Sequence, residues 1–93
     1  MSTGIVLVHG FSGSPDTLSP LAGQLAAQYG PDAVTSVCLP GHGPGHAHAP
    51  VFYQAAFIQT VAEAIETCIR DGRQVIVLGH STGGTIALAA LER

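Results

Sequence analysis

Two runs of four aliphatic residues, Ile-Val-Leu-Val at 5–8 and Val-Ile-Val-Leu at 75–78, each lead straight into a glycine-containing turn. A strand with one wet face alternates apolar and polar residues, whereas a continuous β-branched run suits a parallel strand covered on both faces. Burying both runs is the strongest demand this chain makes on its fold. A third run, Val34 to Leu39, is more mixed, which suits a place nearer the edge of the same sheet.

Helical patterns fill the intervals. Ser14-Pro15-Asp16 reads as an N-cap, a proline at the first helical position and an acid in the first turn. Leu18, Leu21, Ala22, Leu25, Ala26 and Tyr29 follow at helical spacing, and Gly30-Pro31 stops that helix. The second helix is expected from about Phe52 to Asp71, with Ile58, Val61, Ile65, Cys68 and Ile69 as its apolar stripe and Glu66 four residues before Arg70 on the solvent side. The alanine- and leucine-rich stretch after Ser81 reads as a third helix. The order β-α-β-α-β-α, unbroken by a linker, repeat or change of composition, predicts an α/β fold: a three-layer α/β/α structure on a parallel sheet. Right-handed crossovers, with the two most apolar strands as neighbours, give the strand order second-first-third. The chain then reverses direction between the first and third strands, where open parallel sheets bind ligands at the carboxyl ends of their strands.

Composition narrows the partners. Ninety-three residues make one domain at most, burying about 60–65% of the surface its unfolded chain exposes. There is no lysine, and Arg70, Arg73 and Arg93 are too scattered for a basic stripe, so neither nucleic acid nor an anionic membrane is an expected partner. No apolar run approaches the roughly 18 residues of a membrane span, and no basic leader precedes Ile5, which makes the cytoplasm the expected location. Cys38 and Cys68 fit no CxxC pattern and read as buried reduced thiols.

The chemistry gathers in the two turns. Gly79-His80-Ser81-Thr82-Gly83 satisfies G-x-S-x-G between a buried strand and a helix, the setting of a nucleophile elbow. In such a turn the serine is held in a strained backbone conformation, and side chains two residues to either side would collide, so Gly79 and Gly83 are required. Acyl transfer also needs donors aimed at the oxygen that becomes negative, each worth about 3 kcal/mol. The backbone N–H of Thr82, just after the serine, is one candidate; that of Phe11, in the turn His9-Gly10-Phe11-Ser12-Gly13-Ser14-Pro15, is the other.

The segments LVHGFSGSP, LPGHG and VLGHSTGG, in this order and spacing, resemble the N-terminal half of an α/β-hydrolase, with carboxylesterases and monoacylglycerol lipases as the nearest likeness. The resemblance implies Ser81 as nucleophile, Phe11 and Thr82 as backbone oxyanion donors, a small-molecule ester as substrate and no cofactor or metal. LPGHG corresponds to the loop that shapes the pocket mouth. The triad of that family runs serine, acid, histidine, yet after Ser81 this sequence offers only Glu92 and no histidine. Residues 1–93 are therefore expected to be the N-terminal part of a single α/β-hydrolase domain, feeble as an esterase by themselves, and either completed by the missing C-terminal half or self-associating.

The five histidines are poor substitutes for the missing base. His80 adjoins Ser81 in the chain, where successive side chains diverge, and is expected to pack; His9 is expected to brace the neighbouring loop by a hydrogen bond. His42, His46 and His48 lie in a proline- and glycine-rich stretch with no carboxylate near them in sequence, a weak zinc signal. Two other readings compete with the hydrolase. A nucleotide-binding module would need a third glycine in HGFSGS or a lysine for a Walker A loop, and has neither. A complete small binding protein would leave VIVL as an exposed edge strand, a template for aggregation.

Overall fold

The computed structural model describes residues 2–10, 15–40 and 54–92. Strand β1 (Thr3–Val8) occupies the middle of a three-stranded parallel sheet, flanked by β2 (Val34–Val37) and β3 (Gln74–Gly79), in the order β2-β1-β3 that the crossover argument predicts. Leu7 pairs with Ser36 on one side and with Leu78 on the other. The central strand is the buried one: every residue from Ile5 to Val8 is at most 2% exposed. The mixed strand β2 takes an edge, as its polar positions require.

Three helices cover the sheet. Val6 and Val8 point into the main core, where they meet Val37, Leu39, the α2 side chains Phe57, Val61, Ile65 and Cys68, and Ile86, Ala87 and Ala90 of α3. Helices α2 (Gln54–Arg70) and α3 (Thr82–Leu91) thus share one face. Helix α1 (Ser19–Tyr29) lies against β2 on the other. None of the described helices is long and apolar enough to cross a membrane.

Four expectations need correction. The first helix does not run from Pro15: residues Pro15–Leu18 form a 3-10 turn and the α-helix starts at Ser19. An α-helix begun at Pro15 would bring Pro20 into its interior, where it lacks an N–H and its ring meets the carbonyl of Asp16; restarting at Ser19 moves Pro20 into the first turn, where prolines fit. Its proposed cap, Ser14, lies outside the described residues. On the second helix, Ile69 is 60% exposed, on the flank of the stripe in the last turn. Cys38 is exposed, and only Cys68 is buried. The largest departure concerns β3, which is not covered on both faces. Val75 and Val77 pack against the α2–α3 core, but Ile76 and Leu78 on the opposite face are 43% and 37% exposed. The crossover from β1 to β2 lays the Pro15–Leu18 turn against both strands and α1 against β2, and leaves this face of β3 exposed.

Helix α2 ends in a hydrogen-bonded stop. Gly72, with φ +75°, donates to the Ile69 carbonyl, and Arg73 N–H donates to the Cys68 carbonyl at 3.1 Å, the paired bonds of a Schellman motif. Arg73 then reaches the Thr3 carbonyl through Nη1 at 3.1 Å, tying the start of β3 to the start of β1.

Candidate active site

At the carboxyl end of β3 the ladder continues one residue past the strand: His80 N–H donates to the Val8 carbonyl at 2.9 Å. The chain then folds back immediately into α3, with Gly83 N–H on the His80 carbonyl and Gly84 N–H on the Ser81 carbonyl, each at 2.9 Å. Between these bonds sits Ser81, at φ +58° and ψ −123°, the single non-glycine with positive φ among the described residues. A side chain in that region carries strain of about 1–3 kcal/mol and persists only where its surroundings over-determine it. Here the surroundings do so through two glycines.

A Cβ on Gly79 would lie 2.5 Å from Gly84 Cα, and one on Gly83 would lie 2.5 Å from the His9 carbonyl oxygen and closer still to that of Val8. Helix α3 therefore starts in direct backbone contact with the end of β1. The outcome is an exposed serine at the tip of a sharp strand-to-helix turn, with a half-buried Thr82 beside it.

The first turn of a helix has N–H groups with no intrahelical acceptor. Those of Gly83 and Gly84 are taken by the carbonyls of His80 and Ser81; the Thr82 N–H has no acceptor among the described residues. It stands next to Ser81, at the positive end of the α3 dipole. Phe11, the second expected donor, lies outside the described residues, but Gly10 before it is in place. A Cβ on Gly10 would be 3.3 Å from the His80 carbonyl oxygen and 3.6 Å from Ser81 Cβ, so the turn after β1 and the turn after β3 meet at one end of the sheet.

His9 lies between that meeting point and β2, with its ring fully buried. Leu39 N–H donates to Nε2 at 3.0 Å, and Nδ1 is 2.8 Å from the Gly10 carbonyl oxygen. It braces the loop, as expected, and with both nitrogens engaged it is no general base. The bond to Leu39 could not be read from sequence, because the partners are 30 residues apart. His80 is exposed rather than packed, its Nδ1 3.7 Å from where a Gly10 Cβ would be. Glu92, the one acid after Ser81, is beyond the far end of α3, about 15 Å along the helix at its rise per residue. His42, His46 and His48 lie outside the described residues.

A parallel sheet of this order, with a strained serine in the turn after β3, defines an α/β layer protein of hydrolase type, and comparison of sequences agrees. The pattern of the alpha/beta hydrolase family matches residues 5–93. The chain belongs to that family. It is also similar to the thermostable monoacylglycerol lipase of Bacillus sp. (strain H-257), with 33% identity over 92 residues that take in 96% of this chain and 35% of the lipase. The chain thus spans about a third of the length of this relative.

Proposed function

We propose that Ser81 is the nucleophile of a serine hydrolase that acts on carboxylic esters, of carboxylesterase or lipase type. The observation that carries this reading is the turn itself: a serine held at φ +58° by two obligatory glycines, next to the N–H of Thr82, which has no acceptor among the described residues. Strain stored at an exposed polar residue does nothing for packing, and such strain clusters at active sites, where it is part of the mechanism. The monoacylglycerol lipase relative supports an ester as the substrate class.

In this reading Ser81 Oγ adds to the ester carbonyl, and the oxygen that becomes negative is held by the N–H groups of Thr82 and Phe11. The alcohol leaves, and water cleaves the acyl-enzyme. Both proton transfers need a histidine oriented by an acid. His9 has both nitrogens occupied and His80 adjoins the nucleophile in the chain, so we assign base and acid to the rest of the hydrolase domain, of which residues 1–93 form the N-terminal part. The same remainder would cover Ile76 and Leu78; without it these side chains favour self-association.

Supplying the base from solution tests the reading. Ester turnover by residues 1–93 should be feeble, within the roughly 10³–10⁴-fold over water that an oxyanion site and binding retain without a triad. Added imidazole should raise turnover of p-nitrophenyl acetate above imidazole's own rate, and Ser81→Ala should abolish the increment. An increment that survives Ser81→Ala sinks the assignment.

A further inference from the structure

Two threonines of α2 show what a helical threonine does with its hydroxyl. Thr60 Oγ1 donates to the Ala56 carbonyl and Thr67 Oγ1 to the Glu63 carbonyl, each at 2.9 Å and each one turn back along the helix. Thr82 has no such outlet. It is the first residue of α3, so no turn of helix precedes it, and the positions three and four back, Gly79 and Leu78, belong to β3. Its hydroxyl has no hydrogen-bond partner among the described residues.

The placement of that hydroxyl follows from the helix. Every Cα–Cβ bond of an α-helix tilts toward the helix N-terminus. At Thr82 the side chain therefore leans past the start of α3, the end to which the Thr82 N–H also opens. Ile86, one turn on, is buried in the core and Thr85 is exposed, so Thr82 lies on the flank between them and is half-buried. Helix formation does not ask for a threonine here, since alanine, which fills positions 87, 89 and 90, is the better former. We propose that the Thr82 hydroxyl is itself a catalytic donor: it donates to the ester carbonyl oxygen that becomes negative, so that one residue supplies two hydrogen bonds, from its N–H and from Oγ1. This rests on the hydrolase reading of Ser81, and the experiment separates the two. A threonine suits the task because its β-branch leaves few rotamers, and partial burial strengthens a hydrogen bond to a charge.

Three replacements isolate the hydroxyl. Thr82→Val keeps the shape without it, Thr82→Ala removes it while favouring the helix, and Thr82→Ser keeps it. In the imidazole-assisted ester assay, Thr82→Val and Thr82→Ala should each lower kcat and kcat/KM equally, by about tenfold, as loss of an interaction made only in the transition state does. Either variant carries the test if the other fails to fold. Thr82→Ser should stay within about threefold of the parent, since it has the same donor on a freer side chain. Phenylboronic acid, which takes up Ser81 Oγ as a tetrahedral anion with release of a proton, should bind Thr82→Val and Thr82→Ala about tenfold more weakly. A purely structural role for Thr82 would leave boronate affinity unchanged in the folded variants. With the increment lost in Ser81→Ala, unchanged kcat in the folded Thr82→Val or Thr82→Ala would overturn the donor role and leave the hydrolase. A rise in KM alone, or a loss that Thr82→Ser shares, would also overturn it. An increment unaffected by Ser81→Ala would overturn the hydrolase reading and the donor role with it.

Discussion

Leu7 and Leu78 are the same residue, paired in register on neighbouring strands and facing the same side of the sheet, yet Leu7 is 1% exposed and Leu78 37%. Ile5 and Ile76, the next pair along, repeat the contrast at 2% and 43%. Apolar composition states what a strand needs; what covers it is decided by where the crossovers run. Here the crossover to β2 lays the 3-10 turn against β1 and β2 and α1 against β2, while α2 and α3 cover the other face. The two turns differ as well. After β1 the chain places a glycine, Gly10, which does not adopt positive φ; after β3 it places positive φ on a serine. Strain sits where a hydroxyl is displayed, and conformational freedom sits where a backbone must pass closely.

Truncating the paired leucines should give the widest difference. Leu7→Ala should destabilise the chain by about 2–5 kcal/mol, as fully buried leucines do, while Leu78→Ala should cost under about 1 kcal/mol because much of the side chain is already wet. Urea titrations at low protein concentration measure both, and equal losses would break the comparison. The glycines at the start of α3 extend it. Gly83 faces the carbonyls of Val8 and His9 and Gly84 faces Gly79, so Gly83→Ala should cost about 1–3 kcal/mol, whereas Gly84→Ala, with its nearest neighbour at 3.5 Å, should be neutral or slightly stabilising.

Relieving the strain at the serine has a smaller effect of opposite sign. Ser81→Gly should stabilise the chain by about 1 kcal/mol, the release of positive-φ strain less the entropy a glycine loses on folding, and Ser81→Ala should give no such gain. The smallest change in stability belongs to the bare face of β3. Ile76→Lys with Leu78→Lys should leave unfolding within about 1 kcal/mol of the parent while reducing sedimenting oligomers, since charge on an exposed strand opposes association. Oligomers that persist unchanged would show that another surface associates.

Strand order and helix placement were legible because they follow from local signals: β-branched runs, helical spacing, and the limited ways in which right-handed crossovers connect them. Gly79, Ser81 and Gly83 were legible because a sharp strand-to-helix turn imposes a steric requirement at each position. Burial at Ile76 and Leu78 was not, because no pattern within a strand records whether a helix will pass over one face of it. Nor was the late start of α1, set by Pro20 rather than by the more conspicuous Pro15. The bond between Leu39 and His9 exists only once β2 lies beside β1. The position of the Thr82 N–H is legible from the motif, but that it has no acceptor among the described residues is a fact of geometry.

The central claim is that this turn makes Ser81 a nucleophile, and covalent trapping tests it most directly. Incubation of the folded chain with a fluorophosphonate in the presence of imidazole, followed by intact-mass and peptide analysis, should give one adduct per chain, on Ser81. The adduct should be absent when the chain is unfolded in urea, where Ser81 is chemically one serine among six. Labelling spread over several serines, or equal labelling of Ser81 in the folded and unfolded chains, would contradict the account.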